Sequence, residues 1–243
     1  MEWQAPAVVL AARPHSEGDA LVTVLAEGQG KHHGLARGGN SRAQASTWQP
    51  GNLVQARWVA RLSDQLGSMT AELVHPGAAL AMDDALSLAI LSSACAVADG
   101  ALPEREPHHG VFAGLVQSIA GLARGHDSLT DLVRWESVLL AELGYGLDLS
   151  TCAISGAVTG LAWVSPKTGR AVSDVAAGEW RPRLLRLPGF LVGGNAADAE
   201  DWRDGLRLTG HFLARDAFGH QHRPLPAARH MLYDRVSDLA AER

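Results

Sequence analysis

The sequence predicts an α+β chain: a small five-stranded barrel, then an α-helical domain that carries an irregular insert. Three observations predict it. About the first 75 residues break into short valine-rich or alternating runs, each closed by turn chemistry. From Pro76 the apolar period changes from two to three and four. Between Gly28 and Arg61 the chain carries Lys31, Arg37, Arg42, Arg57 and Arg61 with no Asp or Glu, against a formal charge of -5 for all 243 residues. The expected boundaries are 1–78 for the barrel and 79–243 for the helical part, with the insert at about 146–178.

Trp3 to Ala12 (WQAPAVVLAA) is apolar with β-branched valines, which suits a buried strand that Arg13-Pro14 closes. HSEGD at 15–19 is turn chemistry. Ala20 to Glu27 partly alternates and makes a second strand. Gly28-Gln29-Gly30 predicts a hairpin turn, since glycine takes positive φ at little cost. Lys31 to Arg37 returns as the third strand, followed by a loop at Gly38 to Ser41 and a turn at Trp48-Gln49-Pro50-Gly51. Asn52 to Leu62 is the fourth, with Leu53, Gln55, Arg57, Val59 and Arg61 on one face and Val54, Ala56, Trp58 and Ala60 on the other. Gly67 to His75 is the fifth. Five short strands with long loops are the proportions of an oligonucleotide-binding (OB) barrel; a partly open sandwich is the alternative.

Asp83 to Ala98 opens with two acids and continues apolar, as a buried helix would. A linker with two prolines, Leu102 to Pro107, precedes a second helix at Val111 to Ala123. Leu129 to Leu143 is the clearest helix, its apolar positions Leu132, Trp135, Leu139 and Leu143 stepping by three and four. Ser128 or Thr130 is expected to cap it and Gly144 to end it. Gly146 to Gly178 is rich in Gly, Ser and Thr and reads as irregular, with a hairpin turning at Pro166-Lys167-Thr168-Gly169. Pro182 to Pro188 is short and basic, and Ala199 to Ala217 and Ala227 to Ala241 are closing helices.

Composition excludes several classes. Apolar residues make up 47% and charged residues 19%, so the chain can bury a core. Two cysteines, Cys95 and Cys152, are too few for a disulfide framework and fit a reducing cytosol. No signal peptide is expected, and no window approaches ~18 uninterrupted apolar residues, so no membrane partner is expected. No phosphate loop, dinucleotide fingerprint or nucleophile elbow is present, and no catalytic residue is assigned. Asp83-Asp84 reads as helix N-terminal charge rather than a catalytic pair. Among eleven histidines the best cluster is His211, His220 and His222, which lacks acids at ligand spacing apart from Asp216.

The basic stretch carries more. Nucleic-acid binding by a small barrel needs cations along a groove and flat side chains for stacking. The candidates are Arg13, Lys31, His32, Arg37, Arg42, Arg57 and Arg61, with Trp48 as the stacking platform; Trp58, opposite Arg57, reads as core. In the helical part, Arg134 beside the stripe of Trp135 and Leu139 suits a groove for a short acidic, apolar peptide, against the alternative of a helix buried in its own domain.

RPHSEGDALVTVLAEGQGKHHGLARGGNSR at 13–42, QPGNLVQARW at 49–58, RWESVLLAELGYGLDLSTC at 134–152 and VSPKTGRAVS at 164–173 together resemble the bacterial RecO family of recombination mediators and DNA repair proteins. The most specific parts are R-P-x-S-E-x-D before the second strand and L-x-E-L-G-Y-G after the helix, and the likeness spans nearly the whole chain. The resemblance implies an OB barrel joined to a helical domain. It implies binding of single- and double-stranded DNA, annealing of complementary strands, and work with RecR, and commonly RecF, to load RecA onto gaps covered by single-stranded DNA-binding protein (SSB). It implies a bacterial cytoplasmic, nucleoid-associated protein. The Lys31 to Arg61 patch would then meet DNA, and Arg134, Trp135 and Leu139 would receive the acidic, Phe-ended SSB tail. Many members carry two CxxC pairs in the insert. Here only Cys152 remains, Ser155 stands at its partner position and no second pair follows, so no zinc and no other cofactor is expected. Two other readings stay open: a protein adaptor whose barrel binds no DNA, and a small enzyme using the histidine cluster.

Overall fold

The computed structural model describes all residues except 17, 63–64, 123–126, 195–196 and 243. The chain divides into two compact units, Met1–Ser128 and Leu129–Arg243.

In the first unit, β1 (Glu2–His15), β2 (Asp19–Ala26), β3 (Gly30–Ala36), β4 (Leu53–Val59) and β5 (Gly67–His75) close a barrel in the order β1-β2-β3-β5-β4. Neighbours are antiparallel except β3 and β5, which run parallel through two residue pairs, Gly34 with Gly67 and Leu35 with Ser68. This short seam is glycine on glycine for a steric reason: a Cβ on Gly67 would stand 2.2 Å from the Trp58 indole nitrogen. Strand alternation fills the interior. Val54, Ala56 and Trp58 of β4 meet Val22 and Val24 of β2, Val9 of β1 and Met69 of β5. All five expected strands are present. β1 continues past Arg13-Pro14, which still pair with Leu21 and Ala20, and β4 ends at Val59 rather than at 62.

One barrel end holds an aromatic cluster. Trp3 and Trp58 stack with ring centroids 6.2 Å apart, and the His32 ring meets both edge-on at 5.0 and 5.4 Å. His32 Nδ1 is buried with no hydrogen-bond partner. Burial holds the His32 pKa below its ordinary value, partly offset by a hydrogen bond to the Gly30 backbone.

Three helices complete this unit: α1 (Gly77–Ala81), α2 (Ala85–Ala101) and α3 (His109–Gly121). α2 begins at Ala85 because Asp84 is its cap, its carboxylate accepting from the Leu86 and Ser87 amides at 3.4 and 2.8 Å.

In the second unit, α4 (Asp127–Glu142) leads to a three-stranded sheet of β6 (Leu161–Val164), β7 (Ala171–Ser173) and β8 (Leu185–Arg186) in the order β7-β6-β8, with α5 (Asp174–Ala177) after β7. α6 (Ala199–Phe212) runs into a π turn at Leu213–Ala217, and α7 (Ala227–Ala241) closes the chain. Ser128 and Thr130 do not cap α4. Both lie inside it, where the Ser128 hydroxyl donates to the Gly121 carbonyl and the Thr130 hydroxyl accepts from the Trp202 indole. The insert is not irregular throughout: its hairpin turns at 166–169 as expected, and the basic run at 185–186 supplies its third strand.

A buried ion pair ties α4, α6 and α7. Glu136 and Arg229 are both sealed from solvent. Arg229 Nε donates to Glu136 Oε1 at 2.6 Å and Nη2 to Oε2 at 3.0 Å. Nη2 also donates to the Leu206 carbonyl at 2.7 Å, and the Thr209 hydroxyl donates to Glu136 Oε2. A buried pair stabilises only when further hydrogen bonds support it, and here α6 supplies the Leu206 carbonyl and the Thr209 hydroxyl.

Arg229→Ala should therefore cost about 3–5 kcal/mol in urea unfolding, because it leaves a buried carboxylate alone, whereas the double change Glu136→Leu/Arg229→Met should recover most of that loss. The His32 site sets a pH dependence. The unfolded chain takes up its proton near pH ~6.5 and the folded chain only at lower pH. Stability should fall as pH drops through that window, and His32→Phe should flatten that part of the profile of Tm against pH.

Candidate nucleic-acid interface

The outer face of β3 is covered by the chain that leaves α2. The Lys31 ammonium donates to the Asp99 carbonyl at 2.6 Å, the Arg105 amide donates to the Lys31 carbonyl at 2.8 Å, and Lys31 forms a parallel bridge with Glu104. His33 Nε2 lies 3.0 Å from Glu104 Oε1, and its Nδ1 lies 2.8 Å from the Thr23 hydroxyl. Gly30 admits this approach: it has φ +79°, and a Cβ there would stand 2.2 Å from the Glu106 carbonyl oxygen.

This cover divides the expected basic patch. Lys31 is 7% exposed, with its charge committed to a carbonyl, and His32 points into the barrel. Trp48 is 3% exposed and packs in the barrel core, so it offers no open face for stacking. Trp58 is core, as expected, with its indole N–H on the His33 carbonyl at 3.1 Å. Arg57 is exposed but paired, its Nε 2.6 Å from Glu2 Oε1. Glu2 holds the Arg57 pKa up, and Arg57 holds the Glu2 pKa down.

Four cations remain. Arg13, Arg37, Arg42 and Arg61 are exposed and make no ion pair among the described residues. Three of them share one rim. Arg13 lies opposite Leu21 of β2, and Arg37 leaves β3 just past Ala36, which lies opposite Ala20. Arg42 is in the loop that continues from Arg37, pinned to the β1–β2 turn where the Asn40 amide donates to the Gly18 carbonyl at 2.9 Å. Strand spacing puts the β1 and β3 backbones about 10 Å apart across β2. Beside this rim is a cleft of about 200 Å³ lined by Arg13, Asn40, Trp48, Gln49 and Pro50 among others. Arg61 leaves β4 at the opposite end, beside Met1, whose ammonium donates to the Ala60 carbonyl at 2.6 Å.

In the second unit, Arg134 is exposed on α4 and its Nε and Nη2 donate to the Phe190 carbonyl at 3.3 and 3.2 Å. Trp135 and Leu139 are buried and form no open groove wall. The apolar neighbour on the outward stripe is Val138, 40% exposed and one turn along from Arg134, which the sequence reading missed. The histidines separate: His211 Nε2 lies 3.0 Å from the Pro166 carbonyl, and His220 Nδ1 lies 2.8 Å from the Tyr145 hydroxyl. Among the described residues no group of three or more His, Cys, Asp or Glu could hold a metal ion. The Cys152 sulfur instead accepts from the Ser155 and Ser173 amides at 3.4 and 3.2 Å, inside a small core with Val172 and Ala177. Burial pushes this thiol up, but the hydrogen bonds from Ser155 and Ser173 outweigh it and bring the pKa down to about 6. The described residues around Cys152 supply no further cysteine and do not fit a four-cysteine zinc site. No helix among the described residues is long and apolar enough to cross a membrane.

Comparison with known proteins accounts for both units. The family model for the N-terminal domain of recombination protein O matches residues 1–76, and that for its C-terminal domain matches residues 82–224. The DNA repair protein RecO of Granulibacter bethesdensis is 58% identical over 242 residues, covering 98% of this chain and 97% of its own. Those of Gluconacetobacter diazotrophicus and Acidiphilium cryptum are 58% and 59% identical, each covering 98% of this chain and 96% of its own. An OB-type barrel followed by a helical unit, matched along nearly its whole length, makes this chain a member of the RecO family of DNA repair and recombination proteins.

Proposed function

We propose that the chain binds single- and double-stranded DNA at the barrel rim formed by Arg13, Arg37 and Arg42, and that it anneals complementary strands without covalent chemistry. The observation that carries this reading is three exposed arginines, free of ion pairs among the described residues, on one rim of an OB-type barrel. Annealing needs relief of the repulsion between two phosphate backbones, and fixed guanidinium groups supply it. A net charge of -5 is no obstacle, because the basic surface is local and acidic surface elsewhere keeps DNA to it. Acting with RecR, and with RecF, it would help load RecA onto SSB-covered strands on the nucleoid in the bacterial cytoplasm, with no cofactor. The SSB tail would meet Arg134 and Val138. Their support is an exposed guanidinium with a half-exposed valine one turn on.

Fluorescence anisotropy of a labelled oligonucleotide at several salt concentrations tests the rim. Arg13→Ala, Arg37→Ala and Arg42→Ala should each weaken binding across sequences and reduce the slope of log K against log salt by about 1. Arg57→Ala should do less, since Glu2 already holds that guanidinium. Arg134→Ala should spare naked DNA and weaken binding of the SSB tail peptide. No binding at low salt would remove the barrel as the working surface.

A further inference from the structure

We infer that the insert of the second unit carries a separate platform for single-stranded nucleic acid, built on Trp180 with Arg183 and Arg186. This extends the DNA-binding reading of the chain and does not depend on the rim arginines.

Trp180 is 58% exposed, in the 3₁₀ segment Gly178–Arg183 that follows α5. The Arg183 guanidinium lies 5.7 Å from its ring centroid. Arg186, opposite Trp163 across β8 and β6, lies 4.8 Å from the Trp163 ring, and Arg181 lies 6.0 Å from that same ring. Three arginines within the six residues 181–186 thus lie within about 6 Å of an indole centroid.

Asp174, exposed at its side chain, braces the platform: Oδ1 accepts from the Trp163 indole at 2.9 Å, and Oδ2 accepts from Arg181 Nη2 at 2.7 Å. Trp163 also packs against the Cys152 core, and Pro182 stiffens the 3₁₀ segment. Arg183 and Arg186 are exposed and make no ion pair among the described residues. Arg183 is thus available for phosphate beside the Trp180 indole, on which a base can stack, and Arg186 is exposed on β8, where the Asp201 carboxylate feels part of its charge. An acidic peptide without an aromatic residue would satisfy the cations alone, and an acidic tail with one terminal Phe offers a single ring. A single strand offers a phosphate and an aromatic ring in every nucleotide, so it satisfies both. In a duplex the bases are already stacked, so the platform favours single strands. One such surface on each unit gives a single molecule two places to hold a strand, which annealing can use.

The test uses the full chain and a labelled oligothymidylate, in the parent and in Arg13→Ala/Arg37→Ala/Arg42→Ala. In that rim variant, residual single-strand binding is expected. Trp180→Ala should weaken this residual binding about tenfold, and Trp180→Phe should restore most of it. Arg183→Ala/Arg186→Ala should weaken it and reduce its salt dependence. Thermal melting should not move, because these side chains are exposed. If the rim variant binds nothing, the platform is overturned while the rim reading stands. If the rim changes do nothing and Trp180→Ala removes all binding, the platform stands and the rim reading falls. If Trp180→Ala weakens only an oligoglutamate peptide, the surface belongs to an acidic protein and this inference is overturned.

Discussion

The clamp on the outer face of β3 decides what the first unit shows to solvent. OB-type barrels leave some strand faces open, and β3 carries the densest run of basic residues, Lys31-His32-His33. Here the chain from Asp99 to Glu106 lies along that strand and takes up its polar groups one by one. A lysine ammonium on a backbone carbonyl is a good structural bond, because it satisfies an acceptor in the last turn of α2. It is a poor phosphate ligand for the same reason. The glycine at position 30 makes the clamp sterically allowed, and the barrel's working charges shift to the rim where Arg13, Arg37 and Arg42 stand free of it.

The second unit solves a different problem with the same economy. Its helices place one glutamate and one arginine where neither can reach water, paired to each other by two hydrogen bonds and joined by the Leu206 carbonyl and the Thr209 hydroxyl of α6. A charge so enclosed cannot also serve a ligand. The cations available to partners are outward ones, among them Arg134 above Phe190 and the arginines laid on the indoles of the insert. Cys152, Trp163 and Val172 hold the insert with hydrogen bonds and packing.

What was legible in the sequence was local. Alternation at Leu53 to Val59 separated the faces of β4 correctly, and the glycines at 28 and 30 marked the hairpin, because each signal acts over a few residues. The misplaced side chains all answer to distant partners. Lys31 is set by Asp99, 68 residues on, and Arg57 by Glu2, 55 residues back. Trp48 sits in a loop by sequence, yet that loop folds under the barrel and carries its indole into the core. On α4 the apolar stripe was read correctly, but Trp135 and Leu139 are its buried centre, and Val138 on its edge is the residue a ligand can touch. Trp180 gave no periodic signal at all; its meaning comes only from the arginines that the β8 strand and the 3₁₀ turn bring over the indoles.

The barrel and the helical unit thus present exposed arginines that make no ion pair among the described residues, in a chain of a DNA repair and recombination family. We propose that DNA meets the first unit along the rim of Arg13 and the 37–50 loop, not along β4. Photo-crosslinking with oligonucleotides carrying 4-thiothymidine, followed by peptide mapping of the first unit, tests this most directly. Crosslinks within 37–50 and next to Arg13, with β4 unmarked, are the predicted result. Crosslinks concentrated on 53–59 around Arg57, with the rim unmarked, would contradict it.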